Sequence, residues 1–464
     1  MSNITALERI ENMLDDHSFV ELAPLVTSRT TDFNMNPAAT PSDGVIIGHG
    51  LIDGNIVFIY SQDASVLGGS IGEMHAKKLR MIYDMAIKMG APIIGFIDST
   101  GVRLQESVDA VESIGMLYRI ASKASGVIPQ VLGIFGGCGG ALSVLASICD
   151  FVYMSNDASR FMNAPDAITG NTKATLDTSC AQFQFEEAGS VDGIGSEVEV
   201  LVQIRQLISI LPGSNRERGG YVMGCVDDPN RAAVGLEDKR DNIESFAKEI
   251  SDDKLFIPIK SGYATDMTAG FIRLNGMTVG IIGNQPVDDA ATLSAEGCYK
   301  AAAFVRYLDA FDIPLLSLVN VTGYEPTIES ELDLSCAAAK LAMAIAMASV
   351  PKVTLLLKEA YGSAYLLMGA KSLGADLVYA YPDADMGIMD AKMAAKIITD
   401  GLPGDPEQTA AEFAEKRQGM ANAARRGYID RVIQFVDSRK YLIDAFQLLF
   451  TKEVLLPEKK HIAK

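Results

Sequence analysis

The chain of 464 residues is predicted to fold as two tandem α/β domains related by internal duplication, and three observations predict it. The first is a repeat at an offset of 222 residues: Gly48 recurs as Gly270, Gly54 as Gly276, Lys78 as Lys300, Pro92 as Pro314, Thr100-Gly101 as Thr322-Gly323, Pro129 as Pro351 and Gly140 as Gly362. The second is a near-continuous apolar run in each copy, Ile93 to Ile97 (IIGFI) and Leu315 to Val319 (LLSLV), as expected of parallel strands buried on both faces. The third is the alternation of such runs with helical spacing, which reads as α/β units with right-handed crossovers.

Upstream of the repeat, Asp15-Asp16-His17-Ser18-Phe19 answers Asp252-Asp253-Lys254-Leu255-Phe256 at an offset of 237, which leaves 15 extra residues in the first copy. The polar stretch from Thr27 to Ser42 is their natural place. The turn-rich stretch from Leu211 to Asp241 reads as the linker. Expected domains are therefore 1–225 and 240–464, with a mostly helical, unrepeated tail from Asp405.

Within the first copy, Gly44 to Ile52 and Ile56 to Ser61 read as strands joined by the turn signal Asp53-Gly54, matched by Asn275-Gly276 in the second. A helix is predicted from Ile71 to Met89, with Gly90 ending it ahead of Ala91-Pro92. The strand Ile93 to Ile97 runs into Asp98-Ser99-Thr100-Gly101. A further strand, Gln130 to Phe135, runs into Gly136-Gly137-Cys138-Gly139-Gly140, and a helix leaves from Ala141.

Composition excludes several function classes. With 48% hydrophobic content the chain can bury two cores, so disorder is expected only in loops and ends. Six scattered cysteines without a CxxC pair suggest neither a zinc site nor a disulfide framework, so no metal is expected and a reduced cytoplasm fits. No signal sequence is apparent at the N-terminus, and the apolar run Cys336 to Leu357 is broken by Lys340, Pro351 and Lys352, which reads as a buried helix followed by a strand rather than a membrane span. A formal charge of −19 argues against nucleic acid, because phosphate backbones demand a net basic surface.

Ligands of open parallel α/β layers sit beyond the carboxyl ends of the strands, and the repeat places two glycine turns there in each copy. They are Thr100-Gly101-Val102 and Gly139-Gly140-Ala141 in the first, Thr322-Gly323-Tyr324 and Tyr361-Gly362-Ser363 in the second. Glycine lets backbone approach an oxygen closely, so two such turns can aim two N–H donors at one carbonyl, forming an oxyanion hole. The simpler reading is that glycines at strand-to-helix turns merely solve a backbone problem.

Other patterns carry less. Gly68-Gly69-Ser70-Ile71-Gly72 fits the G-x-S-x-G nucleophile signature, but only His75 and His461 lie downstream, and neither is placed for a triad. Ser70 is instead expected to cap the following helix in a capping box with Glu73. Arg103 and Glu106 read as a structural pair. Ala86-Ile87-Lys88-Met89 faintly matches a biotinylation signal but falls inside a helix. The basic cluster Lys77, Lys78 and Arg80 is the candidate holder of a phosphate-bearing cofactor, with a solvated helix face as its simpler reading.

Gly68 to Glu106 (GGSIGEMHAKKLRMIYDMAIKMGAPIIGFIDSTGVRLQE) resembles the N-terminal half of the carboxyltransferase subunits of biotin-dependent acyl-CoA carboxylases and decarboxylases. Lys300 to Phe311, Ala360 to Tyr365 (AYGSAY), Arg426 to Asp430 (RGYID) and Pro457 to His461 (PEKKH) resemble the same family. The resemblance implies two crotonase-like (ClpP/crotonase superfamily) domains, the first binding an acyl-CoA and the second binding biotin carried on a partner biotin carboxyl carrier protein or domain. It also implies a homo-oligomer, a dimer or trimer of dimers, in which the two halves of a site come from different subunits. On this reading N–H groups near Gly101-Val102 and Gly139-Gly140 hold the thioester oxygen, and those near Gly323-Tyr324 and Gly362-Ser363-Ala364 the biotin ureido oxygen. Leu366 falls near the acyl pocket, where members differ, and Ser363 replaces a common glycine.

The implied reaction is carboxyl transfer between a short acyl-CoA and biotin. The string VRLQE is closer to malonate decarboxylase subunits, so the reading leans to a decarboxylase acting on malonyl-, methylmalonyl- or glutaconyl-CoA, with a membrane decarboxylase subunit as a further complex partner. The alternatives are the beta subunit of an acetyl- or propionyl-CoA carboxylase and, from another class, an inactive crotonase-like scaffold.

Overall fold

Each half of the chain opens its sheet with a tight two-residue hairpin. Asp53 and Gly54 take left-handed φ of 50° and 79°, and Asn275 and Gly276 take 50° and 81°, the conformation that a type I′ turn requires. The flanking strands are Val45–Ile52 with Asn55–Gln62, and Met267–Leu274 with Met277–Asn284, both antiparallel. The computed structural model describes residues 4–31, 40–217, 227–288, 290–400 and 405–454. The chain divides into two units, Met1–Arg218 and Gly219–Lys464. Residues 32–39 of the extra polar stretch, 218–226 with Cys225, and the PEKKH motif with His461 lie outside the described residues.

In the first unit a seven-stranded sheet runs in the order Val20–Leu22, Val45–Ile52, Asn55–Gln62, Ile93–Ile97, Gln130–Ile134, Phe151–Ser155, Gly193–Gly195. It is parallel from Asn55–Gln62 onward. Helices Glu73–Met89 and Ser107–Ala124 bury Leu79, Ile82, Ala86, Leu117 and Ala121 in one cluster with Ile93, Ile97, Leu132 and Ile134. Burying each large aliphatic side chain contributes about 1.5–3 kcal/mol.

The second unit repeats this order through Phe256–Ile259, Met267–Leu274, Met277–Asn284, Leu315–Val321, Lys352–Tyr361, Leu377–Ala380 and Arg431–Val432, with Asp385–Gly387 added beside Lys352–Tyr361. The apolar run beginning at Cys336 divides as expected into helix Leu334–Met347 and strand Lys352–Tyr361.

The duplication reaches further than sequence identity shows. Asp15 accepts the N–H groups of Asp53 (3.1 Å) and Gly54 (2.9 Å), and Asp252 accepts those of Asn275 (3.0 Å) and Gly276 (2.7 Å). Arg205 donates to Met13 O (2.7 Å) and Asp15 (2.6 Å), while Arg439 donates to Ile250 O (2.8 Å) and Asp252 (2.6 Å). Helix Ser438–Leu448 is therefore the counterpart of Glu197–Ile208, and the tail expected to be unrepeated contains a repeated helix. The expected linker is also shorter, because Ala233 and Leu236 are fully buried in the second unit's core.

Helix Glu73–Met89 starts two residues later than predicted. Ile71 is held in a parallel bridge with Val102, and Gly72 is the N-cap, making no side-chain cap. Glu106 fills that role from a distance, its carboxylate accepting the Glu73 N–H at 2.6 Å. The Ser70 hydroxyl accepts from Arg103 Nε at 3.3 Å instead, so the expected capping box does not form. Gly90 ends the helix in the left-handed conformation, as expected.

His75 is fully buried, its Nδ1 at 3.0 Å from Asp43 O and its Nε2 at 3.2 Å from Gln62 Nε2. Burial, aided by the nearby Arg103 charge, pulls its pKa from 6.5 down to about 3. The unfolded chain therefore binds a proton there that the folded unit refuses, so stability rises with pH across this window at roughly 1.4 kcal/mol per unit. The contribution is complete above pH 6.5 and is lost as pH falls toward 3. Urea melts of the wild type and His75→Gln are expected to diverge in slope: the wild type weakens from about pH 6.5 downward, whereas the variant's acid loss is shallower.

Candidate active site

Both pairs of glycine turns lie at the carboxyl ends of parallel strands. In the first unit Ile71 N–H donates to Gly101 O and Arg103 N–H to Ile71 O, each at 2.9 Å. This bridge leaves the intervening Val102 N–H without a hydrogen-bond partner among the described residues. The Gly101 N–H is not free, because it donates to Ser99 Oγ at 3.0 Å. Gly101 serves through its conformation, φ 105°.

The second turn extends from a short ladder between Gly137–Gly139 and Ser159–Phe161. Its outer bond is Gly140 N–H to Phe161 O at 2.8 Å. Gly140 is thus not itself a donor to a ligand, a correction to the expectation from sequence. Parallel pairing alternates, so the Gly139 N–H faces away from that ladder, and Ala141 opens helix Ala141–Ile148 with no acceptor for its own N–H among the described residues. A Cβ on Gly139 would come within 2.7 Å of the Phe161 ring, so any side chain there must displace that ring. The two turns are tied together by Ser99 N–H donating to Gly137 O at 3.0 Å.

The second unit builds the same arrangement with different side chains. Glu325 N–H donates to Leu293 O at 3.0 Å, and the Thr292–Leu293 ladder to Gly323–Tyr324 leaves Tyr324 N–H pointing away. Gly362 has φ 59°, against 54° at Gly140, and opens helix Gly362–Leu367, whose early N–H groups at Ser363 and Ala364 have no intrahelical acceptor. Gly323 needs no left-handed backbone, unlike Gly101. Duplication has thus kept the conformation of the second turn and relaxed that of the first. Tyr361 donates its hydroxyl to Asp385 at 2.7 Å, and burial followed by this bond pushes its pKa far up, keeping the phenol neutral.

Sequence reasoning missed the latch behind the first turn of each unit. Asp98 N–H donates to Gln62 Oε1 at 3.2 Å, and Asn320 N–H to Asn284 Oδ1 at 3.0 Å. Both pairs recur at the 222 offset, and a polar residue at the carboxyl end of each apolar run was the available signal.

The basic cluster divides. Lys77 and Arg80 are exposed, and Arg80 leans on Asp84 at 3.5 Å. Lys78 is buried, its Nζ donating to Val45 O at 2.5 Å, to Ser42 O at 3.1 Å and to Ser42 Oγ. Its repeat Lys300 does the same with Lys260 O (2.8 Å) and Tyr263 O (2.7 Å). Lys78 therefore ties a loop down and has no donor left for a phosphate; burial draws its pKa down to about 8. Leu366 is 40% exposed, one helical turn beyond Gly362.

Arg103 and Glu106 are structural, as the sequence suggests. Arg103 is fully buried against Asp43 (2.7 Å) and Glu106 (2.8 Å). No helix among the described residues is long and apolar enough to cross a membrane.

Residues 1–463 match the model of the carboxyl transferase domain. The chain belongs to the carboxyl transferase domain family. This carboxyltransferase is 39% identical over 483 residues to the propionyl-CoA carboxylase beta chain of Roseobacter denitrificans, covering 99% of this chain and 93% of that one. It is 37% identical over 478 residues to the methylmalonyl-CoA decarboxylase subunit alpha of Propionigenium modestum, covering 99% and 92%. Its structure matches transcarboxylase 12S, a hexamer assembly solved with methylmalonyl-coenzyme A and methylmalonic acid bound, with a TM-score of 0.93 at 34% identity over 98% of this chain and 92% of that one. The two tandem domains expected from the repeat, and the crotonase-like fold that the resemblance implies, are the fold found.

Proposed function

We propose that this carboxyltransferase moves a carboxyl group between the α-carbon of a short acyl-CoA and biotin held on a partner chain. The observation that carries the reading is the repeated pair of turns at the strand ends, each pair presenting backbone N–H groups without an acceptor among the described residues. In the first unit Val102, Gly139 and Ala141 face the oxygen that becomes the enolate of the thioester. In the second, Tyr324, Ser363 and Ala364 suit the ureido oxygen of biotin, a neutral acceptor that gains negative charge. Biotin, when bound, supplies the nitrogen that carries the carboxyl group. Backbone donors stabilise charge on both oxygens without any side chain titrating, which accounts for a chain with four histidines, one of them locked in the core. Lys77 and Arg80 are the remaining candidates for the CoA phosphates.

Donors of this kind favour neither direction. Matching relatives include both a carboxylase beta chain and a decarboxylase subunit, and the direction is assigned to whatever drives the partner chains. The reading includes a homo-oligomer, a carrier protein or domain bearing the biotin, and a cytoplasmic setting.

The test is biotin-dependent loss of the carboxyl group from malonyl-, methylmalonyl- and glutaconyl-CoA with free biotin as acceptor, which by reversibility reports on both directions. Turnover of at least one of them is expected only when biotin is present. Folded, oligomeric protein inert toward all three would leave the scaffold reading standing.

A further inference from the structure

The two units differ at the turns in a way that backbone donors do not explain. Val102 and Ala141 of the first unit correspond to Tyr324 and Ser363 of the second at the same 222 offset, so two apolar side chains are matched by two hydroxyls. These hydroxyls meet: Tyr324 Oη donates to Ser363 Oγ at 3.2 Å, spanning the two turns. Tyr324 is half-buried and Ser363 is exposed. A phenol is the stronger acid of the pair and takes the donor role, which leaves the serine proton without an acceptor among the described residues. A hydroxyl that accepts one hydrogen bond donates the next more strongly.

We propose that the Tyr324–Ser363 pair is a side-chain donor to the second oxyanion, with the Ser363 hydroxyl bonding the ureido oxygen of biotin and Tyr324 polarising and orienting it. The assignment rests on the carboxyl-transfer reading above and deepens it. No proton changes hands and no bond is made to either residue; the pair contributes one further hydrogen bond that strengthens as charge develops. It also separates the two ligands, because the equivalent positions of the first unit offer an acyl thioester only apolar contact. Ser363 acts on the ligand directly and Tyr324 is a positioning residue.

The experiment measures biotin-dependent decarboxylation with free biotin for the wild type, Ser363→Ala, Ser363→Thr, Tyr324→Phe and the double variant S363A/Y324F, alongside acyl-CoA binding by calorimetry. Losing one strengthening hydrogen bond should lower kcat by about 5- to 20-fold in S363A and by a smaller factor in Y324F. S363T, which keeps the hydroxyl, should recover most of the rate. The double variant should be no slower than S363A, since Tyr324 acts through the serine. Acyl-CoA affinity should stay at the wild-type value in all four.

Wild-type kcat in S363A, a multiplicative loss in the double variant, or an equal loss in S363T would each overturn the assignment. A parallel fall in acyl-CoA affinity would do the same, showing a merely structural disturbance. A wild-type protein without biotin-dependent turnover would instead remove the carboxyl-transfer reading itself, and this assignment with it.

Discussion

Gly140→Val and Gly362→Val are each expected to lower carboxyl transfer by about 100-fold or more while costing the unit only about 1–3 kcal/mol. Gly140 sits at φ 54°, ψ −114°, and Gly362 at φ 59°, both closed to a β-branched residue without strain. Among the described residues no atom lies within 4 Å of a Cβ added at Gly140, and only Ile388 O, at 3.1 Å, lies near one at Gly362. The substitution therefore acts chiefly through backbone strain, with a tight carbonyl contact added at Gly362. It is relieved by rotating the turn, and rotation moves the very N–H groups of Ala141, or of Ser363 and Ala364, that define the oxyanion positions. Gly54→Val is the matched control, with φ 79° and open space around it among the described residues, at the opposite end of the first unit's sheet from Gly140. Melting temperatures and rates measured on all three separate the effects: similar losses of stability, but loss of transfer at 140 and 362 only. Wild-type rates in both would remove the oxyanion assignment.

How much of this is legible in the sequence follows from what an offset of identical residues can report. The glycines of the turns, the Asp-Gly and Asn-Gly hairpins and the apolar strands survive duplication as letters, so they can be read. The ties that hold the elements together survive as geometry. Asp192 accepts Val152 N–H at 2.7 Å and Asp430 accepts Val378 N–H at 2.8 Å, yet the segment between strand and carboxylate is longer in the second copy. The offset therefore changes and the tail looks unrepeated. Lys78 fails as a phosphate contact for a related reason: a lysine on a helix reads as solvated, and nothing local shows three loop oxygens converging on it. The Gly140 N–H reads as a ligand donor because its acceptor, Phe161 O, lies on a two-strand ladder that the pattern around Ser159 does not announce.

The same difference between letters and contacts sets the largest expected effect on stability. Arg103 reads as one half of an unremarkable charged pair, but its guanidinium is fully buried between Asp43 and Glu106 and also donates to Ser70 O at 2.7 Å. Each carboxylate also holds a backbone N–H, with Asp43 accepting that of His75 at 2.7 Å and Glu106 capping the helix at Glu73. Burial raises the Asp43 pKa, and the Arg103 charge is the main force opposing it. Arg103→Leu therefore leaves two buried carboxylates without the guanidinium that pairs with both, a cost of about 3–5 kcal/mol. Urea unfolding should show that loss in the first unit, and Asp43→Asn in the same chain should restore part of it by removing one of the stranded charges. The loss should also shrink as pH falls through the carboxylate range, because without Arg103 the folded state takes up protons more readily than the unfolded chain. Transfer should fall as well, since the lost guanidinium bond to Ser70 O anchors the segment whose Ile71 bridges to Val102. A variant of wild-type stability would mean that the buried triad is replaceable by apolar packing, and that the first turn is held by its glycine and Ser99 alone.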